Sequence, residues 1–474
     1  MRACSLGRLV VPVVALALAA CSGGGTTSAP APQAAAAATS STVVIYEGAR
    51  LIAGDNTPAI ENGAFVVDGD RITAIGRKGE VTAPAGAAHV DLTGKTVMPA
   101  IIGAHGHVGY QKGVTFLREN YTRENIMNDL ARAAYFGIGT AMTMGIDTPQ
   151  YVYDIREATA NGLAGVARLR TAGTGMGGPN AGPGNLIYAR GVAFELVTEA
   201  DGRKAVDEVA PHHPDLVKIW LDDRGGRGKK VTPPVVRAVV DEAAKQNLRV
   251  IAHVRNHDDA EVAVGAGVYA LSHLARDKEM SDALVADIVK KGVYVTPTLS
   301  MAERNNYSGD VPAWFKEPRL LGLLSDSITP DMLDHVKLSF IERKPKDAEE
   351  ARTSYQVLKN TVKKLNTAGA RLVLGCDTGL PDHFWGLAEH REMELLVEAG
   401  MTPAQVLVAA TSRAAEFLSL KDLGTLAPGK IADFLVLDAN PLDDIRNTRS
   451  IASLYMQGRQ VDRAAIKARL QAVR

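Results

Sequence analysis

Six side chains that bind metal ions well lie at the ends of five short apolar segments of this chain. They are His105, His107, Lys218, His253, His273 and Asp377. The segments have the character of β-strands, and parallel strands that pack side by side bring such ends to one rim. Four imidazoles, one carboxylate and one lysine at a single rim predict a two-metal hydrolytic centre.

Lys218 lies between the apolar pairs 216–217 and 219–220. Such a lysine is expected to be buried, and burial lowers its pKa because the charged form loses its hydration. A neutral amine beside two cations can add carbon dioxide, and the resulting carbamate offers two oxygens that bridge a pair of metal ions. A buried ion pair with Asp215 or Asp222 is the simpler alternative.

Asp377 is predicted to handle protons at this centre. Water held between two metal ions loses a proton near neutral pH and becomes a bridging, nucleophilic hydroxide. A carboxylate beside it can take a proton during attack and pass it to the leaving group. No serine or cysteine nucleophile is then required, and the neighbouring Cys376 is predicted to point away into the core by strand alternation.

These side chains need a scaffold of parallel strands, and the middle of the chain alternates strand-like and helix-like segments. Eight predicted strands occupy residues 97–104, 140–144, 167–172, 216–221, 250–254, 268–272, 293–298 and 372–376. Helical patterns lie between most of them, for example at 234–246 and 280–291. Eight such units predict an α/β fold, a (β/α)8 TIM barrel over residues 97–420, with reactive groups at the carboxyl ends of its strands.

Short strands flank the predicted barrel on both sides. Residues 42–96 contain a hairpin signal at Asp68-Gly69, where glycine permits the positive φ angle of a tight turn. Residues 421–474 contain further β-like runs at 432–438 and 451–457. The two ends are too small to fold alone and are predicted to pair into one composite β-sandwich. Before the second end, Thr402-Pro403-Ala404-Gln405 is typical of a capping box that opens a helix to about residue 418.

The connection between the seventh and eighth predicted strands, residues 300–370, is much longer than a usual loop. It contains Tyr307, Trp314 and Phe315 ahead of a charged helical stretch. Its position is compatible with a lid over the barrel mouth, and extra packing against the barrel is the alternative.

Residues 1–20 have the pattern of a signal peptide, with Arg2 and Arg8 ahead of an apolar run that is too short to span a bilayer. The run ends in Leu18-Ala19-Ala20-Cys21, which resembles the lipobox of bacterial lipoproteins. The resemblance implies cleavage before Cys21, lipid attachment there and a membrane-anchored protein facing the periplasm. An ordinary secretory signal is the alternative. Residues 21–41 are rich in Gly, Ser, Thr, Ala and Pro, which predicts a flexible tether.

The charge composition constrains the partners. The 474 residues include 53 basic and 53 acidic side chains, so the formal net charge is zero, whereas a nucleic-acid partner usually requires a basic excess. The expected partners are a small-molecule substrate and, in a homo-oligomer, a second copy of this chain. A membrane is expected only through the lipid anchor. Three cysteines, Cys4, Cys21 and Cys376, leave no disulfide framework.

Several motifs resemble the amidohydrolase superfamily, and the resemblance covers nearly all of the chain after the tether. Two of them are Thr93-Gly94-Lys95-Thr96-Val97-Met98-Pro99 leading to His105-Gly106-His107, and Leu423-Gly424-Thr425-Leu426-Ala427-Pro428-Gly429-Lys430-Ile431-Ala432-Asp433. Lys218, together with residues 294–299 and 390–394, is similar to the imidazolonepropionase-like branch. That branch includes binuclear prolidases with a carboxylated lysine.

The resemblance implies a ligand assignment for two divalent metal ions, usually zinc. The more buried ion would be held by His105, His107 and Asp377, and the more exposed ion by His253 and His273. The carboxylated Lys218 would bridge the two ions. Imidazole and carboxylate ligands are compatible with zinc.

Three positions depart from the family's usual pattern. Gly103 stands where an aspartate usually precedes the paired histidines, which removes support behind the metal site but no ligand. Gly177-Gly178-Pro179 replaces a Gly-Gly-His turn of many dipeptidase relatives, which weakens a prolidase-type pocket. Asn256 stands where mononuclear deaminases and imidazolonepropionases often have glutamate, which argues against both.

The resulting interpretation is a binuclear metal-dependent hydrolase of amide bonds in small substrates such as dipeptides or N-acyl amino acids. Arg255 shares the face of His253 and is the candidate for binding a substrate carboxylate. The basic loop 224–230 is either a further positive group near the rim or a solvated turn. A lactonase or esterase using the same metals, and a non-catalytic lipoprotein that retains the fold as a binding module, are the alternatives.

Overall fold

The computed structural model describes residues 43–306, 309–342 and 348–472. The predicted signal peptide, the lipidation candidate Cys21 and the tether lie outside the described residues. Export, lipid attachment and the periplasmic location therefore stay predictions. Among the helices in the described ranges, none has the length and apolar character that a membrane crossing requires.

Twenty β-strands occur in these ranges, most of them short. In chain order they are β1 (Val43–Leu51), β2 (Ile60–Asp68), β3 (Arg71–Arg77), β4 (Ala88–Asp91), β5 (Thr96–Pro99), β6 (Ile101–Gly106), β7 (Gln111–Lys112), β8 (Thr115–Phe116), β9 (Ile138–Thr143), β10 (Arg168–Thr171), β11 (Met176–Gly177), β12 (Phe194–Glu195), β13 (Val217–Trp220), β14 (Val250–His253), β15 (Ala270–Ser272), β16 (Tyr294–Thr296), β17 (Arg371–Leu372), β18 (Phe434–Leu437), β19 (Ile451–Met456) and β20 (Arg459–Gln460).

Fourteen α-helices occur in the same described ranges. In chain order they are α1 (Arg123–Tyr135), α2 (Pro149–Ala160), α3 (Glu199–Val209), α4 (Pro233–Lys245), α5 (His257–Ala266), α6 (Asp282–Lys291), α7 (Leu299–Glu303), α8 (Pro318–Ser327), α9 (Pro330–Glu342), α10 (Ala348–Thr367), α11 (Leu387–Glu398), α12 (Pro403–Ala410), α13 (Ser412–Phe417) and α14 (Arg463–Gln471).

Parallel strands form two sheets that carry the predicted ligands at their carboxyl ends. One sheet has the order β10-β9-β6, and the other has the order β12-β11-β13-β14-β15-β16-β17. Helices separate most of these strands along the chain, as parallel pairing requires. This alternation confirms the predicted α/β class.

A few backbone hydrogen bonds, rather than a regular ladder, join the two parallel sheets where continuous pairing stops. Ala104 N donates to Leu374 O (2.9 Å) at one junction, and Asp215 N donates to Thr171 O (2.9 Å) at the other. The predicted closed barrel with a continuous ladder is therefore not seen. At the first junction β17 has only two residues, and one isolated parallel bridge, between Gly106 and Thr378, follows it.

Both chain ends contribute to one mixed sheet, in the order β20-β19-β18-β5-β1-β2-β3. The predicted pairing of the two ends is present, because β18 pairs antiparallel with β5. The sheet branches at β1, which pairs with β4 along residues 44–47 and with β5 at residues 50–51. One branched sheet thus stands where a β-sandwich of two packed sheets is predicted, and that sandwich is not shown. The domain limits at residues 42–96, 97–420 and 421–474 stay predictions.

An aromatic cluster packs on one side of this branched sheet. Its stacked and edge-on rings are those of Tyr46, Phe65, Phe434 and Tyr455. Two of these residues come from each end of the chain, so burial of the rings holds the ends together.

The predicted hairpin joins β2 to β3, with a turn one residue later than predicted. Asp68 pairs with Arg71, so Gly69 and Asp70 form the turn. Gly69 has a φ of 61°, the left-handed conformation that glycine adopts without a steric cost.

One predicted strand, residues 97–104, is two strands in different sheets. β5 ends at Pro99, which has no N–H to donate to a ladder. Ala100 N donates to Asp433 O (3.0 Å), and β6 begins at the next residue. The chain therefore changes sheets here, and β6 carries His105 into the parallel layer.

The helix predicted from the capping box begins as predicted but does not continue to residue 418. Thr402 Oγ1 accepts from Gln405 N (3.3 Å), with Pro403 in the first turn. Thr411 then leaves the helical conformation, with φ −133° and ψ −93°. Its hydroxyl lies 2.6 Å from Leu407 O in the helix and 3.1 Å from Gly54 O near the opposite end of the chain.

The long connection over residues 300–370 is largely helical and contains α8, α9 and α10. Phe315 and Phe340 within it are buried, which favours the packing alternative for this part. Among its described residues, Met301 and Arg304 reach the site cavity. Tyr307 lies outside the described residues, and a lid function stays a prediction.

Alternation along the strands places polar groups directly after an apolar interior layer. Four members of that layer are Leu216, Ile251, Ala270 and Tyr294. The residues two positions later are Lys218, His253, Ser272 and Thr296. Because residues two apart on a strand share a face, the polar groups lie at the inner rim, one step nearer the carboxyl ends.

Candidate metal centre

Seven of the predicted site residues line one cavity of about 320 Å³. They are His105, His107, Lys218, His253, Arg255, His273 and Asp377. They come from the carboxyl ends of β6, β13, β14 and β15 and from the segment after β17. The structure thus brings together every predicted site residue in the described ranges.

Asp377 lies among the histidines. Its Oδ1 is 3.1 Å from His107 Nε2 and 3.4 Å from His105 Nε2. One potential ligand atom from each of His105, His273 and Asp377 lies within 4.8 Å of the others. The ring centroids of His253 and His273 are 4.4 Å apart. These spacings allow the imidazoles and the carboxylate to share metal ions.

Hydroxyl groups behind two of the rings determine which nitrogen faces the cavity. Thr298 Oγ1 lies 2.7 Å from His273 Nδ1. Ser272 Oγ and Thr296 Oγ1 each lie 3.2 Å from the Nδ1 of His105. Both rings therefore keep Nε2 for the cavity. The Nε2 of His105 is buried and faces Asp377 Oδ1, as expected of two atoms that bind the same metal.

A carboxylate lies behind the third ring. Asp222 Oδ1 is 3.3 Å from His253 Nε2. The Nδ1 of that ring is therefore the nitrogen that can bind a metal ion. Asp222 is fully buried, and its Oδ2 accepts from Arg224 N (3.2 Å). A carboxylate in this position orients a metal-binding imidazole and raises its basicity.

Lys218 is buried, with 1% of its surface exposed. Its Nζ donates to Ser272 Oγ (2.6 Å). Burial lowers the pKa of Lys218 to about 7, and the charge of Asp377 opposes this shift only in part. A neutral amine is therefore accessible near neutral pH, as carbamate formation requires.

The ion pair that stands as the simpler alternative for Lys218 is not found among the described residues. Asp215 lies against Arg170 (3.4 Å), and Asp222 lies against His253. Neither carboxylate is paired with the amine, so the reason for burying a lysine here is not a salt bridge with either of them.

Burial determines the protonation states at the centre. It lowers the pKa of His105 to about 4 and holds the pKa values of His253 and His273 well below the ordinary value. Burial raises the pKa of Asp377, but the nearby His273 and the hydrogen bonds from the paired histidines outweigh it and hold that pKa well below its usual range. Neutral imidazoles and an ionised carboxylate are the forms that bind metal ions. The residues present therefore fit a metal centre.

Three residues at the rim have a left-handed backbone although none is glycine. The φ angles are 70° for His273, 57° for Thr298 and 60° for Asp377. This conformation costs about 1–2 kcal/mol per residue for a side chain with a Cβ. It turns the chain at the strand end, so that Ser272 and the next residue, His273, both face the centre. Strain of this kind persists where surrounding contacts fix it.

Helix α11 supports two of these turns. The hydroxyl of Thr378, which follows the candidate carboxylate, donates to Glu389 (2.5 Å). The backbone N–H groups of Leu299 and Ser300 donate to Glu392 (2.8 and 2.6 Å). Burial raises the pKa of both glutamates to about 7. The family motif at residues 390–394 gives no indication of these two roles.

The supporting hydroxyls and Asp222 are functional residues that sequence reasoning misses. Ser272 and Thr296 carry a usable signal, because each is a polar residue two positions after an apolar interior residue. Asp222 and Thr298 lie beyond the strand ends, where alternation no longer predicts a direction.

Arginines form much of the remaining cavity wall. Arg255 lines it, and so do Arg224, Arg276 and Arg304. Of the basic loop 224–230, Arg224 reaches the cavity, whereas Lys230 binds Asp259 (2.7 Å). The loop is therefore in part a site element. Arg276 and Arg304 have no place in the sequence prediction.

A second group of potential ligands lies at the start of α5 and lacks the chemistry of a metal site. It consists of His257, Asp258 and Glu261. Ser281 N donates to His257 Nε2 (3.1 Å), so the proton of the ring is on Nδ1. That nitrogen lies 3.9 Å from Asp258 Oδ1 and 3.7 Å from Glu261 Oε1 and is not available as a ligand.

This chain is similar to a protein-family profile, to curated proteins and to solved structures. The sequence profile described as "Amidohydrolase family" matches residues 96–461. Among curated relatives, the ochratoxinase of Aspergillus niger is 26% identical over 454 residues, which cover 85% of this chain and 82% of the ochratoxinase.

Two solved structures show the same fold. A Xaa-Pro dipeptidase with bound methionine has 22% identity and a TM-score of 0.69, with 88% of this chain and 99% of that chain covered. Phenylurea hydrolase B has 22% identity and a TM-score of 0.69, with 89% and 97% covered.

Proposed function

Because this chain belongs to the amidohydrolase family, we propose that it hydrolyses amide bonds in small, carboxylate-bearing substrates such as dipeptides or N-acyl amino acids. Its class is that of hydrolases acting on carbon–nitrogen bonds. The observation that carries the proposal is the convergence of four imidazoles, Asp377 and Lys218 on one cavity. The volume of about 320 Å³ suits a small molecule, because ligand sites usually have about 300–1,000 Å³.

The donor set supports two divalent metal ions, and zinc is our proposal for both. The first ion would be held by His105, His107 and Asp377, and the second by His253 and His273. Lys218, as its carbamate, would bridge them. When bound, the ions supply a water molecule of lowered pKa and polarise the scissile carbonyl. The scaffold that we propose is a (β/α)8 barrel with an interrupted ladder.

Asp377 is proposed to move the proton. Its pKa lies well below the usual range, so the carboxylate is ionised and accepts a proton from the water that attacks the carbonyl carbon. It then returns the proton to the leaving nitrogen. Cys376 is fully buried, which supports a mechanism without a thiol nucleophile.

The relatives do not select a substrate. Their names, an ochratoxinase, a Xaa-Pro dipeptidase and a phenylurea hydrolase, refer to different substrates. The turn at Gly178-Pro179 lies beside the basic loop, since a Cβ on Gly178 would be 1.9 Å from Lys229 O. Gly178 packs against this loop, where many dipeptidase relatives have a histidine-bearing turn.

The test of the reaction class uses the full chain loaded with zinc in bicarbonate buffer. A panel of N-acyl amino acids and dipeptides is compared with matched esters and lactones. We expect amide turnover that a chelator abolishes and that added zinc restores. Turnover of esters or lactones alone would contradict the proposal and favour the lactonase alternative.

The bridging role of Lys218 has its own test. Lys218→Ala is expected to lose bound metal and amide turnover, with partial recovery when short carboxylic acids replace the carbamate. Lys245→Ala, on α4 beside Glu242, is the control and should keep both properties. Wild-type metal stoichiometry in Lys218→Ala would end the bridging model.

A further inference from the structure

We propose that the cavity binds amide substrates whose released amino acid carries two carboxylates, as in N-acyl glutamate or an Xaa-Glu dipeptide, through Arg224, Arg255 and Arg276. The inference rests on the proposed amide hydrolysis and specifies its substrate class. It is supported by the charge balance of the cavity, by a buried guanidinium nitrogen that has no partner among the described residues, and by the contacts that place the arginines together.

Cationic side chains outnumber carboxylates on the cavity wall. The cations are Arg224, Arg255, Arg276 and Arg304, and the single carboxylate among the described lining residues is that of Asp377. A concave site with one sign of charge and low-dielectric walls concentrates ions of the opposite sign. The cavity is thus built for a ligand with more than one negative group.

Arg276 provides the most specific evidence. Its Nε is buried and has no hydrogen-bond partner in the described part of the chain. Burial, followed by the charge of Arg255, lowers the pKa of Arg276 to about 10, so the guanidinium remains charged at neutral pH and lies near a second one. A buried donor without an acceptor is costly, and a bound carboxylate supplies the acceptor.

Backbone contacts fix the positions of these arginines. Arg276 N donates to Arg255 O (2.9 Å), which joins the segments after β14 and β15. On the other side, Arg224 Nε donates to Gly182 O (2.9 Å), and the backbone N–H of Arg224 binds Asp222. The backbones of Arg255 and Arg276 are thus joined, and the guanidinium of Arg224, which is held directly, loses little conformational freedom when an anion binds.

The number of guanidiniums indicates more than one carboxylate. A carboxylate is matched by one bidentate guanidinium, so a single α-carboxylate would leave most of this positive wall without a counter-ion. A glutamate or aspartate residue offers a second carboxylate within a few bonds of the first. The rest of the lining is largely apolar, with Ile146, Leu186, Trp220, Met301 and Leu380, and suits the acyl portion.

The kinetic test compares N-acetyl-L-glutamate with N-acetyl-L-glutamine, which have nearly the same shape and differ by one charge. We expect the zinc-loaded protein to favour the glutamate compound by about tenfold or more in kcat/KM, the effect of one charged hydrogen-bonded pair. Equal kcat/KM values for the two compounds would overturn the inference and leave amide hydrolysis standing.

Variants assign the preference to the arginines. Arg276→Gln and Arg255→Gln each remove one charge and are expected to bring the ratio of the two kcat/KM values toward one. Arg237→Gln, on the exposed face of α4, is the matched control and should keep the ratio of the unmodified protein. An unchanged ratio in both cavity variants, with normal zinc content and Tm, would overturn the assignment.

Equilibrium binding separates this inference from the proposed function. Calorimetric titrations use N-acetyl-L-glutamate, N-acetyl-L-glutamine and inorganic phosphate. If no amide is hydrolysed but the glutamate compound binds about tenfold more tightly than the glutamine compound, the dicarboxylate site stands and only the reaction fails. If Arg276→Gln weakens the binding of phosphate and not that of the glutamate compound, the dicarboxylate class is overturned.

Discussion

Single side chains behind the ligand candidates fix the orientation of the imidazole rings. Thr298 and Ser272 contact the Nδ1 atoms of His273 and His105, and Asp222 contacts the Nε2 of His253. These contacts leave one defined nitrogen of each ring for a metal ion. Removal of a group in this position typically weakens metal binding by about 10–100-fold.

Asp222→Asn is expected to weaken zinc binding by about 10–100-fold. The amide removes the negative charge that lies 3.3 Å from the ring nitrogen, so His253 loses its orienting partner. Asp223→Asn, whose carboxylate accepts from Gly225 N, is the neighbouring control and should retain affinity. Zinc competition with a chelating dye measures the effect, and equal affinities of Asp222→Asn and the unmodified protein would exclude the orienting role.

The lowered pKa of Lys218 is expected to make the stability of the metal-free protein depend on pH. Its pKa is about 7 in the folded state and 10.5 as a reference for the unfolded state. Between these values the unfolded chain binds a proton that the folded chain does not, so stability rises with pH, by at most about 1.4 kcal/mol per unit. Below pH 7 Lys218 is protonated in both states, and the folded protein bears the full free-energy cost of burying the charged amine.

The comparison protein is Lys218→Met, which lacks the titrating group. We expect the stability of the unmodified protein, relative to this variant, to increase from pH 7 to pH 9. Urea unfolding, in a buffer that contains a chelator and is free of carbon dioxide, measures the difference. Parallel pH profiles of the two proteins would show that Lys218 is not desolvated in the folded state.

At the level of elements, the turns after the strands place the functional groups. Gly379 lies two residues after the left-handed Asp377 and has a φ of 80° itself. A Cβ at this position would lie 1.8 Å from His107 O, so the turn after β17 and the end of β6 approach closely only because no side chain is present. The close approach brings Asp377 to the paired histidines.

Gly379→Ala is therefore expected to destabilise the fold and to displace the centre. Gly429→Ala is the matched control, because Gly429 has a φ of 83° and a Cβ there would meet no heavy atom within 4 Å. Gly429→Ala should lower the free energy of unfolding by about 1–2 kcal/mol through its backbone conformation alone. Gly379→Ala should lower it by about 1–3 kcal/mol more, because its Cβ also clashes with a neighbouring atom. Urea unfolding and zinc content measure both effects, and equal losses in the two variants would contradict the steric argument.

Local pattern was sufficient to predict most elements that carry the site. Val250, Ile251 and Ala252 form an apolar run that ends in His253. A run of this kind can be recognised from a few neighbouring residues alone. The breaks at Ala100 and Thr411 were not predictable, because their partners, Asp433 and Gly54, are more than 300 residues away along the chain. Likewise, the wall of arginines arises from loops that only the tertiary fold brings together.

At the level of the whole molecule, a buried ion pair joins the terminal sheet to the parallel layer. Arg168 in β10 pairs with Asp433, which precedes β18, and Arg168 Nη2 lies 3.3 Å from Asp433 Oδ1. Both side chains are almost fully buried, and Asp433 also accepts from Gln457 N (2.8 Å). The pair thus connects the carboxyl-terminal segment to the scaffold of the site.

Asp433→Asn is expected to cost about 3–5 kcal/mol in unfolding free energy, because it leaves the charge of Arg168 buried without a partner. Asp422→Asn breaks an exposed pair with Arg71 and should cost about 1 kcal/mol or less. Denaturant unfolding of both variants decides the matter. Similar losses would mean that the buried pair contributes no more than a surface one.

The pairing of β18 with β5 also has a consequence for the order of events during synthesis. About 330 residues separate the two strands, and a ribosome adds about 5–20 residues per second. The edge of β5 that β18 will cover is therefore left unmatched for on the order of 20–70 seconds. An unmatched edge invites pairing with other chains, so the interval before the last strands emerge is when the nascent polypeptide most needs a chaperone.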